Sequence, residues 1–110
     1  MPLYLYELSY TAESIAAQIK NPQDRLETAA RPIIEAVGGK LVGGGFCFGD
    51  NDIVILLEAP DDESVAAVAM TVVAGGAVKS ARTTKLLSGT QWVAALKKAS
   101  SLSGGYRPAR

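Results

Sequence analysis

Residues Ile53 to Leu57 read Ile-Val-Ile-Leu-Leu without a polar break, and this run constrains the fold more than any other part of the chain. Gly49-Asp50-Asn51-Asp52 precedes it and Ala59-Pro60-Asp61-Asp62 follows it. Bounded by turn chemistry on both sides, it is too short for a helix and reads as a strand. Side chains alternate along a strand, so Ile53, Ile55 and Leu57 point one way while Val54 and Leu56 point the other. A strand of that kind needs cover on both faces. The opening segment, Leu3 to Tyr10, behaves similarly: Tyr4, Tyr6, Leu8 and Tyr10 share one face, and Leu3, Leu5, Glu7 and Ser9 share the other.

The remaining elements follow from periodicity and punctuation. Thr11 can cap a short helix through Ile19, and Asn21-Pro22 has the form of an N-cap followed by a first helical proline. Leu26, Ala29, Ala30, Ile33, Ile34 and Val37 then mark one face of a helix, interrupted at Pro32 and ended by Gly38-Gly39. Lys40 to Gly49 and Asp52 to Ala59 read as a hairpin, with Gly43-Gly44-Gly45 signalling a bulge or the close approach of another backbone or a ligand. Asp61 and Asp62 start an alanine- and valine-rich helix reaching Ala74, whose apolar residues wrap most of its circumference and predict burial on more than one side. Ala77 to Leu87 has the alternating charge of an exposed edge strand. Ser88 or Thr90 caps a last helix carrying Trp92, Val93, Leu96 and Ala99, and Ser100 to Arg110 reads as a flexible tail. The chain is thus one domain, residues 1–99, with a tail at 100–110.

This order is a split βαβ arrangement: an α+β fold, βαββαβ, with a four-stranded antiparallel sheet in the order 4-1-3-2 and an appended C-terminal helix. Right-handed crossovers put the helices on one face of the sheet. Only the terminal helix, through Trp92 and Leu96, is left to cover part of the other. Apolar surface is worth about 25 cal/mol per Å² when removed from water, so a bare face predicts a second copy, as a dimer or higher homo-oligomer.

Composition closes off several chemistries. The chain has no histidine, which excludes Ser-His-Asp and Cys-His nucleophile systems and the imidazole-built zinc, iron and haem sites. No loop has the ligand spacing of a carboxylate cation site. Neither a metal nor a cofactor is therefore expected. Eleven basic residues balance eleven acidic ones and lie dispersed, which argues against nucleic acid as a partner. The glycine clusters lack the context that cradles phosphates. The apolar runs are short for a bilayer and no secretory signal is apparent at Met1-Pro2-Leu3-Tyr4, so no membrane association and a cytoplasmic location are expected.

The stretch Phe48-Gly49-Asp50-Asn51-Asp52-Ile53-Val54-Ile55-Leu56-Leu57-Glu58-Ala59-Pro60-Asp61-Asp62-Glu63 resembles the GYD-domain family, in which a Gly-x-Tyr-Asp turn precedes an apolar strand and an Ala-Pro-Asp-Asp helix start. The resemblance extends to the strand ending Tyr10-Thr11, the Arg25-Leu26-Glu27 helix and the Thr83-Thr84-Lys85 edge strand. It implies a ferredoxin-like domain of the dimeric α/β-barrel kind, and it names a fold more than an activity. Gly49 and Asp52 match the motif, and Asn51 stands where the family has tyrosine.

Few residues are placed to carry chemistry. Glu7, mid-strand, needs a partner such as Arg82 or Lys85 on the neighbouring strand if it is buried. Asp50 and Asp52 project to the same side of an extended turn. Glu7, Asp52 and Arg82 are the candidate catalytic groups, and Tyr4, Tyr6, Phe46, Phe48 and Asn51 the candidate ligand contacts. Cys47, between two phenylalanines, reads as a small buried hydrophobe. Three functions stay open: a domain binding a small molecule or a protein between sheet and helices, a cofactor-independent enzyme of monooxygenase or isomerase type, or a structural assembly subunit. Burial separates them. Glu7 and Arg82 meeting in an enclosed cavity favours the enzyme, and both solvated favours binding or structure.

Overall fold

The computed structural model describes residues 1–109. Strand β1 (Leu3–Tyr10) leads into helix α1 (Ala12–Lys20), a π-helical turn (Leu26–Ala30) and helix α2 (Arg31–Ala36). Strands β2 (Lys40–Phe46) and β3 (Ile53–Glu58) follow, then α3 (Asp62–Ala74), β4 (Val78–Leu86), α4 (Gly89–Leu102) and a closing turn (Ser103–Gly105). The strands form one antiparallel sheet in the order β2-β3-β1-β4, the predicted order read from its other edge.

Register fixes the two faces. Tyr4 lies opposite Leu57, Tyr6 opposite Ile55 and Leu8 opposite Ile53. All six are buried, and Ile34, Leu41, Ala59 and Val65 complete the core they form beneath the helices. The outer face carries Leu3, Leu5, Val54 and Leu56, which are only half-buried. Its far end is polar, with Glu7 across from Arg82 and the Ser9 and Ser80 hydroxyls 2.7 Å apart.

Three local readings need correction, and the interruption expected at Pro32 takes a definite form. Asn21 does not open the second helix. Its N–H donates to the Ala17 carbonyl and closes α1, while an Asp24 carboxylate oxygen accepts from the Leu26 N–H and starts the next turn. Pro32 lacks an N–H and its ring crowds the carbonyl of the residue four earlier. The chain answers with a widened turn, in which Arg31 N–H reaches back to Leu26, before regular winding resumes. Cys47 is exposed, because β2 ends at Phe46 and the thiol lies in the loop, facing the Asn51 carbonyl at 3.1 Å. Helix α3 buries only one side, through Val65 and Val68, leaving Met70 and Val73 in solvent.

The triple glycine serves both purposes considered for it. A bulge at Val42 shifts the register, since Leu41 faces Leu57 but Gly43 faces Leu56. Gly44 has a φ of +153°, and a Cβ there would sit 2.5 Å from the Val54 carbonyl oxygen, so only glycine fits.

Helix α4 is longer than expected, running past Ser100 to Leu102. Ser88 and Gln91 cap it reciprocally. It makes no substantial packing contact with the sheet or with α3. Trp92, Val93 and Leu96 are each about half exposed. The radius of gyration is 17.7 Å, against about 13 Å for a compact chain of this length. The terminal helix therefore projects instead of covering the outer sheet face.

Candidate functional site

Between the sheet and the helices lies a hollow of about 320 Å³. Tyr6, Leu8, Ile55 and Leu57 form its floor, Ala29, Ala30, Ile33 and Ile34 one wall, and Val65, Val68, Ala69 and Val72 the other. The π turn and the short α2 supply the first wall and α3 the second. Their small side chains at 29, 30 and 69 leave the space that bulkier residues would fill. Only Tyr6, Tyr10, Arg25 and Thr71 bring polar side chains to this lining.

These polar groups are specific. The Tyr6 hydroxyl is buried and, among the described residues, has no hydrogen-bond partner, an arrangement that costs about 1–3 kcal/mol while it lasts. Burial pushes the Tyr6 phenol above its ordinary value. Burial raises Tyr10 as well, partly offset by the Arg25 guanidinium beside its hydroxyl. Arg25 is half-buried and, among the described residues, belongs to no ion pair.

The candidate residues from sequence divide between the two sides of the sheet. Tyr6 lines the hollow; Tyr4 does not, because its hydroxyl donates to Asp62 at the start of α3 over 2.5 Å. Glu7 finds neither Arg82 nor Lys85. It accepts from the Asn51 amide at 3.3 Å, and Lys85 pairs with Asp62. Asn51, Asp50 and Arg82 border a polar hollow of about 340 Å³ on the outer face, where Arg82 is exposed. Asp52 accepts the Tyr10 N–H at 2.8 Å and ties the β2–β3 loop to β1. Phe46 and Phe48 are exposed at 52% and 100% and line none of these hollows. Sequence reasoning did not single out Arg25, although it stands at the i−4 and i−8 positions from Ala29 and Ile33 on the same helical stripe.

The Tyr4–Asp62 contact makes stability depend on pH at both extremes. The bond to Asp62, with burial and the nearby acidic charges, pushes Tyr4 up from 10.0 to about 12. Its contribution is fully present below pH 10.0 and is lost as pH climbs through about 12. Asp62 moves the opposite way, held below 3.8 by Tyr4 and Lys85, so its share is lost as pH falls through its lowered value. Tyr4→Phe is expected to flatten the alkaline fall in melting temperature and to lower the melting temperature at neutral pH. Superimposable pH profiles for the two proteins would refute this assignment.

Among the described residues, no helix is long and apolar enough to cross a membrane, and no group of three or more His, Cys, Asp or Glu could hold a metal ion. The fold and hollow define a ferredoxin-like α+β domain with an apolar chamber between sheet and helices. The GYD domain family model matches residues 4–96, and the chain belongs to the GYD-domain family. No curated protein matches it. Among solved structures, MtbAldR shares the fold with a TM-score of 0.53 and 13% identity, over 79% of this chain and 52% of that one. This chain thus spans about half the length of MtbAldR. An uncharacterized NIPSNAP domain protein from Burkholderia xenovorans matches with a TM-score of 0.50 and 15% identity, over 81% of this chain and 95% of that one. At these identities the likeness concerns the fold.

Proposed function

We propose that this GYD-domain protein binds a small apolar or amphipathic molecule in the hollow between its sheet and helices, and that it works as a homo-oligomer. The observation that carries the reading is an apolar chamber of about 320 Å³ lined in part by Tyr6, whose hydroxyl is buried and unpartnered among the described residues. Ligand sites begin at about 300 Å³ and combine apolar walls with a few convergent polar groups. At about 30 Å³ of liquid volume per water molecule, the chamber has room for roughly ten waters or one compact organic molecule. Its lining includes no carboxylate, whereas Glu7 and Arg82 stand opposite each other in register on the other sheet face without pairing. That separation supports binding over acid–base catalysis by those groups. The oligomer is supported by the half-buried leucines of the outer face and by the projecting α4.

Native mass spectrometry of protein purified without additives tests the chamber. The expected spectrum carries a small-molecule increment that Ala30→Phe, which fills the space, removes. An increment equal in both proteins would refute the assignment. So would a bare wild-type mass combined with unshifted amide resonances at Ala30 and Ala69 on addition of octanol.

A further inference from the structure

We propose that the chamber selects amphipathic organic anions: a compact apolar body inside, an acidic head on Arg25, and a polar substituent or carbonyl within reach of the Tyr6 hydroxyl. This rests on the chamber being the binding site and goes further by fixing the chemistry of the ligand. Arg25 brings the lining its single charged side chain. The carboxylates nearest in sequence are committed elsewhere. An Asp24 oxygen accepts from the Leu26 N–H at 3.0 Å, and Glu27 holds Arg31 through two bonds of 2.6 and 3.1 Å. Asp52, which also faces Tyr10, accepts the Tyr10 N–H. Arg25 is therefore a half-buried guanidinium at an apolar wall, in no ion pair among the described residues and with the Tyr10 hydroxyl as its neighbour.

A guanidinium grips a carboxylate through two parallel bonds, and a partly desolvated setting strengthens them. The Tyr10 hydroxyl beside Arg25 can donate to the same head group, as any phenol does at neutral pH. The Tyr6 hydroxyl has no acceptor among the described residues. A purely hydrocarbon ligand would leave it so; one with an oxygen along its body would not. Ala29, Ala30 and Ala69 set the width, which suits a medium alkyl chain or a single aromatic ring.

The test compares acids with neutral analogues of the same shape, octanoate with octanol and phenylacetate with phenethyl alcohol, by calorimetry on the full chain at neutral pH. Each acid is expected to bind about tenfold tighter than its alcohol, a gap typical of one charge-assisted pair. Arg25→Gln, at a site with no ion pair to lose, should erase the gap while leaving the alcohols unchanged. Alcohols binding as tightly as acids, or a gap that survives Arg25→Gln, would overturn the anion selectivity and leave the chamber reading standing. No binding of any of the four, with unshifted amides at Ala30 and Ala69, would overturn both. Tyr6→Phe supplies a separate readout: it should leave octanol binding and the preference for acids at Arg25 unchanged, because that hydroxyl is unpaired before octanol enters and stays so.

Discussion

Ile53→Ala is expected to destabilise the protein by about 3 kcal/mol, within the range for large-to-small changes at a fully buried position. Ile53 is 2% exposed and sits on β3, an interior strand of the sheet, opposite Leu8 on one side and Phe46 on the other. It does not line the chamber, so the void left by the missing atoms is new and has no pre-existing space to merge with. The adjacent Val54 points to the outer face, and Val54→Ala should lower the stability of the single subunit by about 1 kcal/mol or less. Urea unfolding of both variants at low protein concentration reads the contrast. Equal losses would mean that the two faces of β3 are equally buried within one chain, and the division into core and outer faces would fall.

That division was legible in the sequence because alternation is a local code. Tyr4, Tyr6 and Leu8 read as one face, Ile53, Ile55 and Leu57 as another, and the antiparallel register joins them. Sheet order was equally accessible, since short connections and right-handed crossovers leave few alternatives. What local chemistry could not decide was competition between neighbours. Asn21 suits either end of a helix, and the outcome turns on Asp24 being the better cap for the chain beyond. Cys47 looked buried because it sits between two phenylalanines, but β2 ends at Phe46 and the hairpin loop begins at Cys47. Helix α3 looked buried all round because its composition is apolar; its outer side stays wet because α4 does not fold back upon it.

The chamber was half legible. Strand tyrosines marked its floor, yet Tyr4 is diverted to Asp62 and only Tyr6 and Tyr10 reach the space. Its size depends on where α2 stands above the sheet, which the π turn before Pro32 governs, and no periodicity in the sequence reports that displacement. Arg25 escaped notice for a related reason. A charged residue at the edge of an apolar stripe ordinarily marks the limit of the buried face, and here it marks the mouth of a cavity.

Leu56→Asp is expected to convert the proposed oligomer to monomers, weakening association by about a hundredfold or more, because a carboxylate would be buried against a second apolar face without a partner. In the single chain the same change should be tolerated, since Leu56 lies on the open side of β3 and is only half-buried. The surface around it is shaped for contact. Leu3, Leu5 and Leu86 extend it across β1 and β4, and Gly43 and Gly45 leave the β2 side flat, with nothing within 4 Å of where their Cβ atoms would lie. A flat apolar floor can take another sheet in close approach, and the facing side chains would recover what one subunit leaves wet. Helix α4 adds Trp92, Val93 and Leu96, an unburied stripe that projects away from its own sheet and is free to meet a neighbouring subunit. Light scattering coupled to size exclusion reads the result directly. Wild-type protein running as a monomer at micromolar concentration would remove the case for the partner. An oligomer that survives Leu56→Asp unchanged would keep the partner but move it to another surface, leaving the exposed apolar stripe of α4 as the place to look.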